Sequence, residues 1–413
     1  MADTFYSLGN HSELAVTAFD RMSMFSFQPR LIFSQFAERK SWNGQGTPEK
    51  GDAVTFTIHD SMNPSMDSLP ETSDPDAKGF GNVQKTVNMA EKGGLLKLTS
   101  KLNFASWDNN TVKAIQNVGR NMGESFDLQA RQAYDAQTGS DYNIYVGATS
   151  MVTVASDDTM TRSVVDQARA IMEARNVMGI DNVPDAVMSN NGGVEEYAVV
   201  MHPNVFYNLF TQTGTGSIQE IAKYANPKGF YNGERGTYNS MRILVTTNCK
   251  INYNQGVNVA TSDINGAVAV GGTSLTVTSG TNFTGTGTVT ITTGGSDYTY
   301  KVTAKATHVL TVDKIIDIDG IRQVASTGSG FVAIHDDADA VIEGVDVYTT
   351  YVLGYQAVAF GYQDRPNLVL TEGLDYLKRI KGVGWKGYYG FGELRVESLI
   401  KIHSASSQTI SPL

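Results

Sequence analysis

The chain has 413 residues, of which 41% are hydrophobic and 18% charged, and its formal net charge is −10 at pH 7. This composition is that of a globular protein, so it excludes large-scale disorder, and the length predicts two or three domains. A single cysteine, Cys249, excludes both a disulfide framework within the chain and a thiolate zinc site, and favours a reducing cytosol.

The N-terminal sequence contains no basic segment followed by an apolar run, so we expect no secretory signal. No stretch approaches the ~18 apolar residues that a membrane-spanning helix needs. We therefore expect a soluble protein that is made in the cytoplasm.

An extended ribbon is predicted near the N-terminus, after a mixed first segment. The stretch Gly51 to Asp60 alternates as a strand does, with Val54, Phe56 and Ile58 on one face. A long loop with three prolines follows, and residues 83–104 read as a returning strand. No Lys or Arg lies between Lys50 and Lys78, so the tip is acidic. Because an isolated hairpin is marginal in water, we expect this ribbon to lie on a partner.

One long helix is predicted from Asp108 to Tyr134. Its apolar residues recur in steps of three and four and form one stripe: Val112, Ile115, Val118, Met122, Phe126, Ala130 and Ala133. Asp108, Asn109 and Asn110 are candidate N-caps, and the sequence from Thr138 to Asp141 ends the helix. No His, Cys or cluster of acids accompanies it, which indicates a structural role.

The rest of the chain alternates helices and strands. An amphipathic helix capped by Thr161 is followed by a buried strand that enters a turn at Pro203. Further core strands and an aromatic-rich C-terminal part follow. Between them, residues 257–329 are rich in Thr, Gly and Val, with short strands and a hairpin turn at Gly294-Gly295. This segment predicts a small inserted β-barrel or sandwich.

Residues that could carry chemistry are scattered. The six histidines form no HxxxH or HxH pair, and no phosphate loop, dinucleotide motif or nucleophile elbow is present. The acidic groups around Asp317 and Asp337 could hold calcium, but their spacing matches no known loop and favours acidic turns. We interpret His202 as the cap of a turn, Cys249 as a structural thiol, and the three tryptophans as packing residues. We therefore predict no catalytic, cofactor-binding or metal-binding residues and no enzyme activity.

The order of elements resembles that of the major capsid proteins of tailed bacteriophages with the Hong Kong 97-like fold, and most of all the phage N-four type of coat protein. The resemblance rests on "KGDAVTFTIHD", "EEYAVVMHPNVFYNLF", "GERGTYNSMRILVTTN", "YVLGYQAVAFGY" and the ending "VGWKGYYGFGELRVESLIKI". It covers residues 1–256 and 340–413, whereas the Thr/Gly-rich segment departs from the common core.

The resemblance implies an α+β fold with a defined anatomy. The expected parts are an N-terminal arm (1–44), an extended β-ribbon loop over a neighbouring subunit (45–104), a spine helix (105–139), an axial α/β domain (140–256 and 330–364), an inserted all-β module (257–329), and C-terminal strands of the peripheral domain (365–413).

The resemblance also implies a structural function. The protein would self-assemble into pentamers and hexamers, contact neighbouring capsomers, and enclose double-stranded DNA that it meets only by non-specific proximity. A separate scaffold protein, a portal and a decoration protein are the other expected partners. No membrane or cofactor is expected. Assembly would take place in the host cytoplasm before the protein resides in the virion. Two alternatives remain open: the shell of a bacterial nanocompartment of the encapsulin type, and a surface glycan-binding protein that uses the inserted module.

Overall fold

The computed structural model describes residues 31–41, 51–59, 66, 79, 81–105, 110–137, 139, 142–180, 196–212, 233–323, 330–337, 339–372, 376–377 and 379–408. Most of the predicted N-terminal arm, most of the ribbon tip, Trp42, Trp107 and the first two predicted caps of the long helix lie outside these residues.

The described chain is rich in strands. Its α-helices are α1 (Ser100–Ala105), α2 (Asn110–Asp135), α3 (Arg162–Ala174) and α4 (Pro203–Thr211), and short 3-10 turns span Phe33–Phe36, Met151–Thr153 and Val396–Ser398. The first strands are β1 (Glu38–Ser41), β2 (Ala53–His59), β3 (Asn82–Asn88), β4 (Ala90–Thr99), β5 (Asn143–Tyr145), β6 (Tyr197–Met201), β7 (Glu234–Tyr238), β8 (Met241–Val245), β9 (Ile251–Asn252) and β10 (Asn258–Asp263). The later strands are β11 (Ser274–Thr276), β12 (Gly287–Thr293), β13 (Ser296–Ala306), β14 (Val309–Ile318), β15 (Ile321–Arg322), β16 (Ala340–Gly344), β17 (Val347–Leu353), β18 (Val358–Glu372), β19 (Ile380–Glu393) and β20 (Leu399–Ser404).

The chain divides into two compact units, and the first contains residues 1–137 and 356–396. Its centre is a sheet in the order β1-β18-β19-β4. Helix α2 packs on one face, where the Phe126 ring meets the rings of Phe360, Tyr389 and Phe391 with centroids 5.1–5.2 Å apart. The predicted long helix and its apolar stripe are thus confirmed, since Ile115, Met122 and Ala130 are fully buried.

The hairpin of β2 and β3 packs on the other face of this sheet. Along β19, Gly390 and Gly392 alternate with the aromatic residues that face α2, so the glycines point away from the helix. A Cβ at Gly392 would lie 2.9 Å from Val87 Cγ2, and one at Gly361 would lie 3.1 Å from Val54 Cβ. Glycine therefore lets the hairpin backbone approach the sheet closely.

The predicted two-stranded ribbon is wrong in its second half. β3 pairs with β2, but the chain then continues as β4, which pairs with β19 along its whole length. Gly93 and Gly94 make this possible, because a Cβ at Gly93 would collide with the Trp385 carbonyl oxygen. Two glycines within an alternating strand indicate such a close approach.

The second unit contains residues 138–355 and 397–413. Its core sheet has the order β5-β20-β17-β6-β8-β7, with β9 paired to β17. β6, β17 and β20 are buried along their full length, as expected for central strands. Residues of α3 and α4 pack against this sheet through Val165, Met172 and Leu209.

The predicted grouping of residues 365–413 is also wrong in part. β18 and β19 belong to the first unit, whereas β20 pairs with β17 and β5 in the second. β18 already begins at Val358, so the predicted second axial segment 330–364 is divided as well. The fully buried residues of β20 explain this placement, because they need cover on both faces.

The Thr/Gly-rich segment folds as a sheet of its own, in the order β10-β16-β12-β13-β14-β11, with β15 paired to β14. The sheet closes on itself, because Ile264 bridges Val277 and the Thr278 amide donates to the Asp263 carbonyl. The result is a small barrel filled by an apolar core. The hairpin turn at Gly294-Gly295 is confirmed, with φ of 59° and 88°. β16 lies outside the predicted limits 257–329 but completes this barrel.

Candidate assembly surfaces

Two histidines of the second unit, His202 and His403, form structural hydrogen bonds. His202 precedes α4, and its Nδ1 accepts from the Asn204 amide at 3.2 Å, so the predicted capping role is confirmed. Burial, with a smaller contribution from Arg322, lowers the pKa of His202 to about 4. His403 is buried in β20, where its Nε2 is 3.0 Å from Asn143 Oδ1 and burial lowers its pKa to about 3. Neutral, hydrogen-bonded rings of this kind stabilise the fold.

A chain of polar side chains links β12, β13 and the segment before β16 in the barrel. The His335 ring is fully buried and hydrogen-bonded with Tyr300 Oη and Thr293 Oγ1, each at 2.8 Å. Thr293 Oγ1 also donates to Asp339 at 2.9 Å. Burial lowers the pKa of His335 against the opposing effect of Asp339 and Asp336. Every member of this chain has a partner, which is how a buried polar network specifies one packing.

Both acidic groups named in the sequence analysis accept hydrogen bonds from backbone amides. Asp317 Oδ1 accepts from the Gly320 amide at 2.6 Å, and Asp337 Oδ1 accepts from the Gly266 amide at 2.8 Å. Asp319 Oδ1 likewise accepts from the Asp297 amide at 2.7 Å. Among the residues that the structure describes, no three His, Cys, Asp or Glu side chains are grouped as metal ligands would be.

The remaining candidates for chemistry are also accounted for by packing. Cys249 is buried, and Trp385 donates from Nε1 to Asn121 Oδ1 of α2 at 3.0 Å. Thr161 stands at the N-cap of α3 as predicted, but its side chain makes no capping hydrogen bond. No helix within the described ranges has the length and apolar character to cross a bilayer.

The buried carboxylate of Asp127 binds the backbone of residues 32–34. Asp127 Oδ1, on α2, accepts from the amides of Ile32 and Phe33 at 2.7 Å and of Ser34 at 3.3 Å. Tyr134 donates to the Phe33 carbonyl at 3.3 Å, and burial together with Asp127 raises its pKa. A carboxylate that accepts successive backbone N–H groups makes strong, charge-assisted bonds.

The bonds from these amides to Asp127 were not predicted from the sequence. Asp127, Arg131 and Tyr134 are spaced by four and three residues and are all buried, so they form a second stripe beside the apolar one. That spacing was the available signal. The Arg131–Asp135 ion pair, with Nε and Oδ2 3.2 Å apart, continues this polar side of the helix.

Exposed apolar side chains mark one corner of the first unit. The Ser100 amide donates to the Arg379 carbonyl, which places α1 beside the turn between β18 and β19. Phe104 of α1 is 90% exposed, and Leu102, Tyr376 and Leu377 are exposed as well. Lys97, Lys101 and Arg379 are exposed in the same segments. We call this group of residues the basic corner.

A second exposed apolar group lies on the barrel. Segments 266–272 and 330–336 pair through the Val268–His335 bridge and the hydrogen bond from the Gly271 amide to the Phe331 carbonyl. Val268, Phe331 and His335 point inward and are buried, whereas three large apolar neighbours and two acids are exposed. We call these outward residues the barrel surface: Val270, Val332, Ile334, Asp336 and Asp337. Clustered exposed apolar side chains of this kind are typical of protein–protein contacts.

Comparisons with known proteins point in the same direction. A sequence model of the family described as "Phage capsid protein" matches residues 132–399. The solved capsid of Ralstonia phage GP4 is similar at 14% identity and a TM-score of 0.54, covering 91% of this chain and 88% of that one. The capsid asymmetric unit of cyanophage Pam1 is similar at 11% identity and a TM-score of 0.53, covering 92% of each chain. No curated protein matches the sequence.

Proposed function

The chain belongs to the family of phage capsid proteins, and we propose that it is the major capsid protein, which assembles into pentamers and hexamers and forms the icosahedral shell around a double-stranded DNA genome. The observation that carries this proposal is the family match over residues 132–399. The α+β fold of the Hong Kong 97-like type is confirmed, because the two capsid structures match over about nine tenths of the chain.

The first unit suits the peripheral part of such a subunit. α2 has 26 residues and therefore a length of roughly 39 Å at 1.5 Å per residue. It braces one face of a four-stranded sheet through aromatic contacts, while the hairpin lies on the other face. A stiff helix fixed to a sheet resists bending, which a shell under the pressure of packaged DNA requires. This is the structural role of a helix that carries no reactive groups.

The second unit suits the axial part of the subunit, with the barrel as an addition to it. The core sheet carries α3 and α4, and the barrel is connected to it through Asn254, whose Nδ2 donates to Thr290 Oγ1 at 2.9 Å. We infer that copies of this unit meet around the centres of pentamers and hexamers. The barrel is then free to take a role in contacts between capsomers or on the outer surface.

The net charge of −10 suits a container whose DNA must move in and out, since Asp and Glu (42) outnumber the Lys and Arg (32) that could neutralise phosphates. We infer that DNA is met by proximity alone and that the chain acts without catalysis. A separate scaffold protein, a portal and a decoration protein complete the proposed set of partners. Assembly in the host cytoplasm precedes residence in the virion.

Electron microscopy of the expressed protein, alone and with lysate of phage-infected host cells, tests this function. We expect closed icosahedral particles with pentamers and hexamers, and DNA-filled particles of the same subunit in virions. A protein that stays monomeric with lysate supplied and is missing from virions contradicts the proposal. Particles that enclose an enzyme instead of DNA support the nanocompartment alternative, which the match to phage capsid proteins disfavours.

A further inference from the structure

We propose that the barrel surface of one copy binds the basic corner of a second copy and so forms a heterologous contact between subunits. The proposal deepens the proposed function and rests on it. It assigns a role to the barrel, which is the part of the chain that lies outside the common order of elements.

The basic corner has the composition of a protein-binding surface. Leu102, Phe104, Tyr376 and Leu377 are exposed within two segments joined by the Ser100–Arg379 hydrogen bond. In the sequence, residues 95–105 and 372–381 contain five Lys or Arg and two acidic residues, although the whole chain is acidic. An exposed aromatic and aliphatic group with cations around it favours an apolar partner that carries negative charge.

The barrel surface has the complementary composition. Ile334 is 60% exposed and Val270 is 61% exposed, and Val332, on the same segment as Ile334, is exposed as well. Asp336 and Asp337 are exposed at the end of the same segment. No Lys or Arg occurs between Lys250 and Lys301, and none occurs in residues 330–340. Apolar groups of similar size and charges of opposite sign therefore face solvent on two different parts of the chain.

A contact between the basic corner and the barrel surface is more favourable than a contact between two copies of the same surface. A two-fold contact between identical basic corners would bring Lys97, Lys101 and Arg379 of both copies together, and like charges across an interface are unfavourable. A contact between two barrel surfaces would bring acids together in the same way. Pairing one surface with the other makes a head-to-tail contact, which repeats from copy to copy and can close rings and shells.

The size of the surfaces is consistent with assembly. Each presents only three or four large apolar side chains, so a single contact is weak. Many weak contacts in a shell add through effective concentration. A weak contact also permits correction of misplaced subunits, which a tight pair would prevent.

Site-directed cross-linking tests the contact. Ile334→Cys and Leu377→Cys are placed in separate chains with Cys249→Ala in both, and the two chains are co-assembled and mildly oxidised. We expect a disulfide-linked heterodimer between the two variants at least about five times more abundant than any homodimer. The matched control replaces Ile334→Cys by Thr303→Cys, an exposed position on β13, and should give no such product.

Charge reversal provides a second measurement that needs no oxidation. Lys97→Glu with Lys101→Glu should lower the yield of complete particles at least about tenfold, and adding Asp336→Lys should restore part of it. Lys301→Glu with Lys386→Glu makes the same change in net charge and should leave the yield within about twofold of the original chain.

The outcomes separate this inference from the proposed function. Complete particles without the heterodimer, or with unchanged yield after charge reversal at the corner, overturn the inference alone. A cross-link from Leu377→Cys to Ser68→Cys, in the acidic tip predicted for the ribbon, in place of Ile334→Cys would assign the basic corner to that tip and overturn the inference as well. If the original chain forms no particles in any condition, the proposed function fails. The same cross-linking experiment is then carried out on the protein in concentrated solution, where absence of the heterodimer contradicts the proposed contact.

Discussion

At the scale of single residues, the carboxylate of Asp127 decides where the segment from residue 31 attaches. Asp127→Asn keeps the size of the side chain but removes the charge that strengthens three hydrogen bonds to backbone amides. We expect a loss of roughly 2 kcal/mol in the free energy of unfolding, the usual value for bonds to a charged group. Chemical denaturation measures the loss, and hydrogen exchange should show faster exchange of the Ile32 and Phe33 amides.

The control for this change is Glu91→Gln, which removes a charge from an exposed position of β4 in the same unit. It should change the free energy of unfolding by less than about 0.5 kcal/mol, as most surface substitutions do. Equal effects of the two substitutions, or unchanged exchange at Ile32 in Asp127→Asn, would show that the carboxylate does not hold the segment.

A second residue-scale prediction concerns Asp346, which precedes β17 and accepts from the Asn254 amide at 3.1 Å. Burial raises the pKa of Asp346 from 3.8 to about 6, and the hydrogen bond from Asn254 opposes that shift. The folded state therefore holds this proton more tightly than the unfolded state does. The contribution to stability is fully present below about pH 4 and is lost as the pH rises through 6.

Asp346→Asn removes the charge and keeps an acceptor for the Asn254 amide. Because the side chain is partly exposed, we expect a gain of about 1 to 2 kcal/mol in the free energy of unfolding at pH 7.5, less than the full shift would give. At pH 4 the gain should disappear. Denaturation at both pH values measures it, and Asp346→Ala should be less stable than Asp346→Asn at both because it leaves the amide unpaired. A gain that does not depend on pH would contradict the assigned cause.

At the scale of elements, the alternation of glycine and aromatic residues in β19 builds both faces of the first sheet. Gly390→Ala would press a Cβ against the Asn88 carbonyl and separate the hairpin from the sheet. We expect a loss of about 1 to 3 kcal/mol in the free energy of unfolding, typical of overpacking, and faster hydrogen exchange in β2 and β3. Gly285→Ala is the control, since its Cβ would meet nothing closer than 3.9 Å. Similar losses of stability in the two variants would contradict the proposal that Gly390 is needed for the close approach of the hairpin to the sheet.

The sequence predicts an element well when the residues that determine it lie close together in the chain. The apolar stripe of α2 is a periodic pattern within one segment, and so it identified the helix and its buried face. The second half of the ribbon could not be assigned in the same way, because the pairing of β4 depends on Trp385 and its neighbours almost 300 residues later. The basic corner likewise arises from two distant segments, and no local pattern reveals that α1 lies beside the turn before β19.

At the scale of the whole molecule, the order of elements carried more information than any motif. That order indicated the capsid fold although no catalytic or binding motif is present. An arm, a ribbon, a long helix and a mixed α/β domain follow one another along the chain in the order that the capsid fold has. The limits between the parts were less predictable, since β19 and β20 are consecutive strands in the chain but lie in different units. The Thr/Gly-rich composition ends before β16, so composition places this strand in the predicted axial segment 330–364, although it pairs with β10 and β12.

The closure of the barrel by β16 gives a test at this scale. The Gly256 amide donates to the Val345 carbonyl at 2.9 Å, so the two chain ends of the barrel are adjacent. Replacing residues 257–344 by two glycines should leave the core sheet folded and soluble. The expected cost is about 1 to 2 kcal/mol, because Asn254 loses its buried hydrogen bond to Thr290. Circular dichroism and chemical denaturation of the shortened chain measure this.

The comparison variant removes only residues 260–328, within the limits that the sequence predicts. It keeps β16 but deletes β12 and most of β10, its two partners, and exposes the buried side chain of Val341. An unpaired apolar strand is a template for aggregation, so this smaller deletion should be the less soluble of the two. Soluble, cooperative unfolding of the 260–328 deletion together with collapse of the 257–344 deletion would show that β16 belongs to the core sheet and that the barrel does not fold as one body.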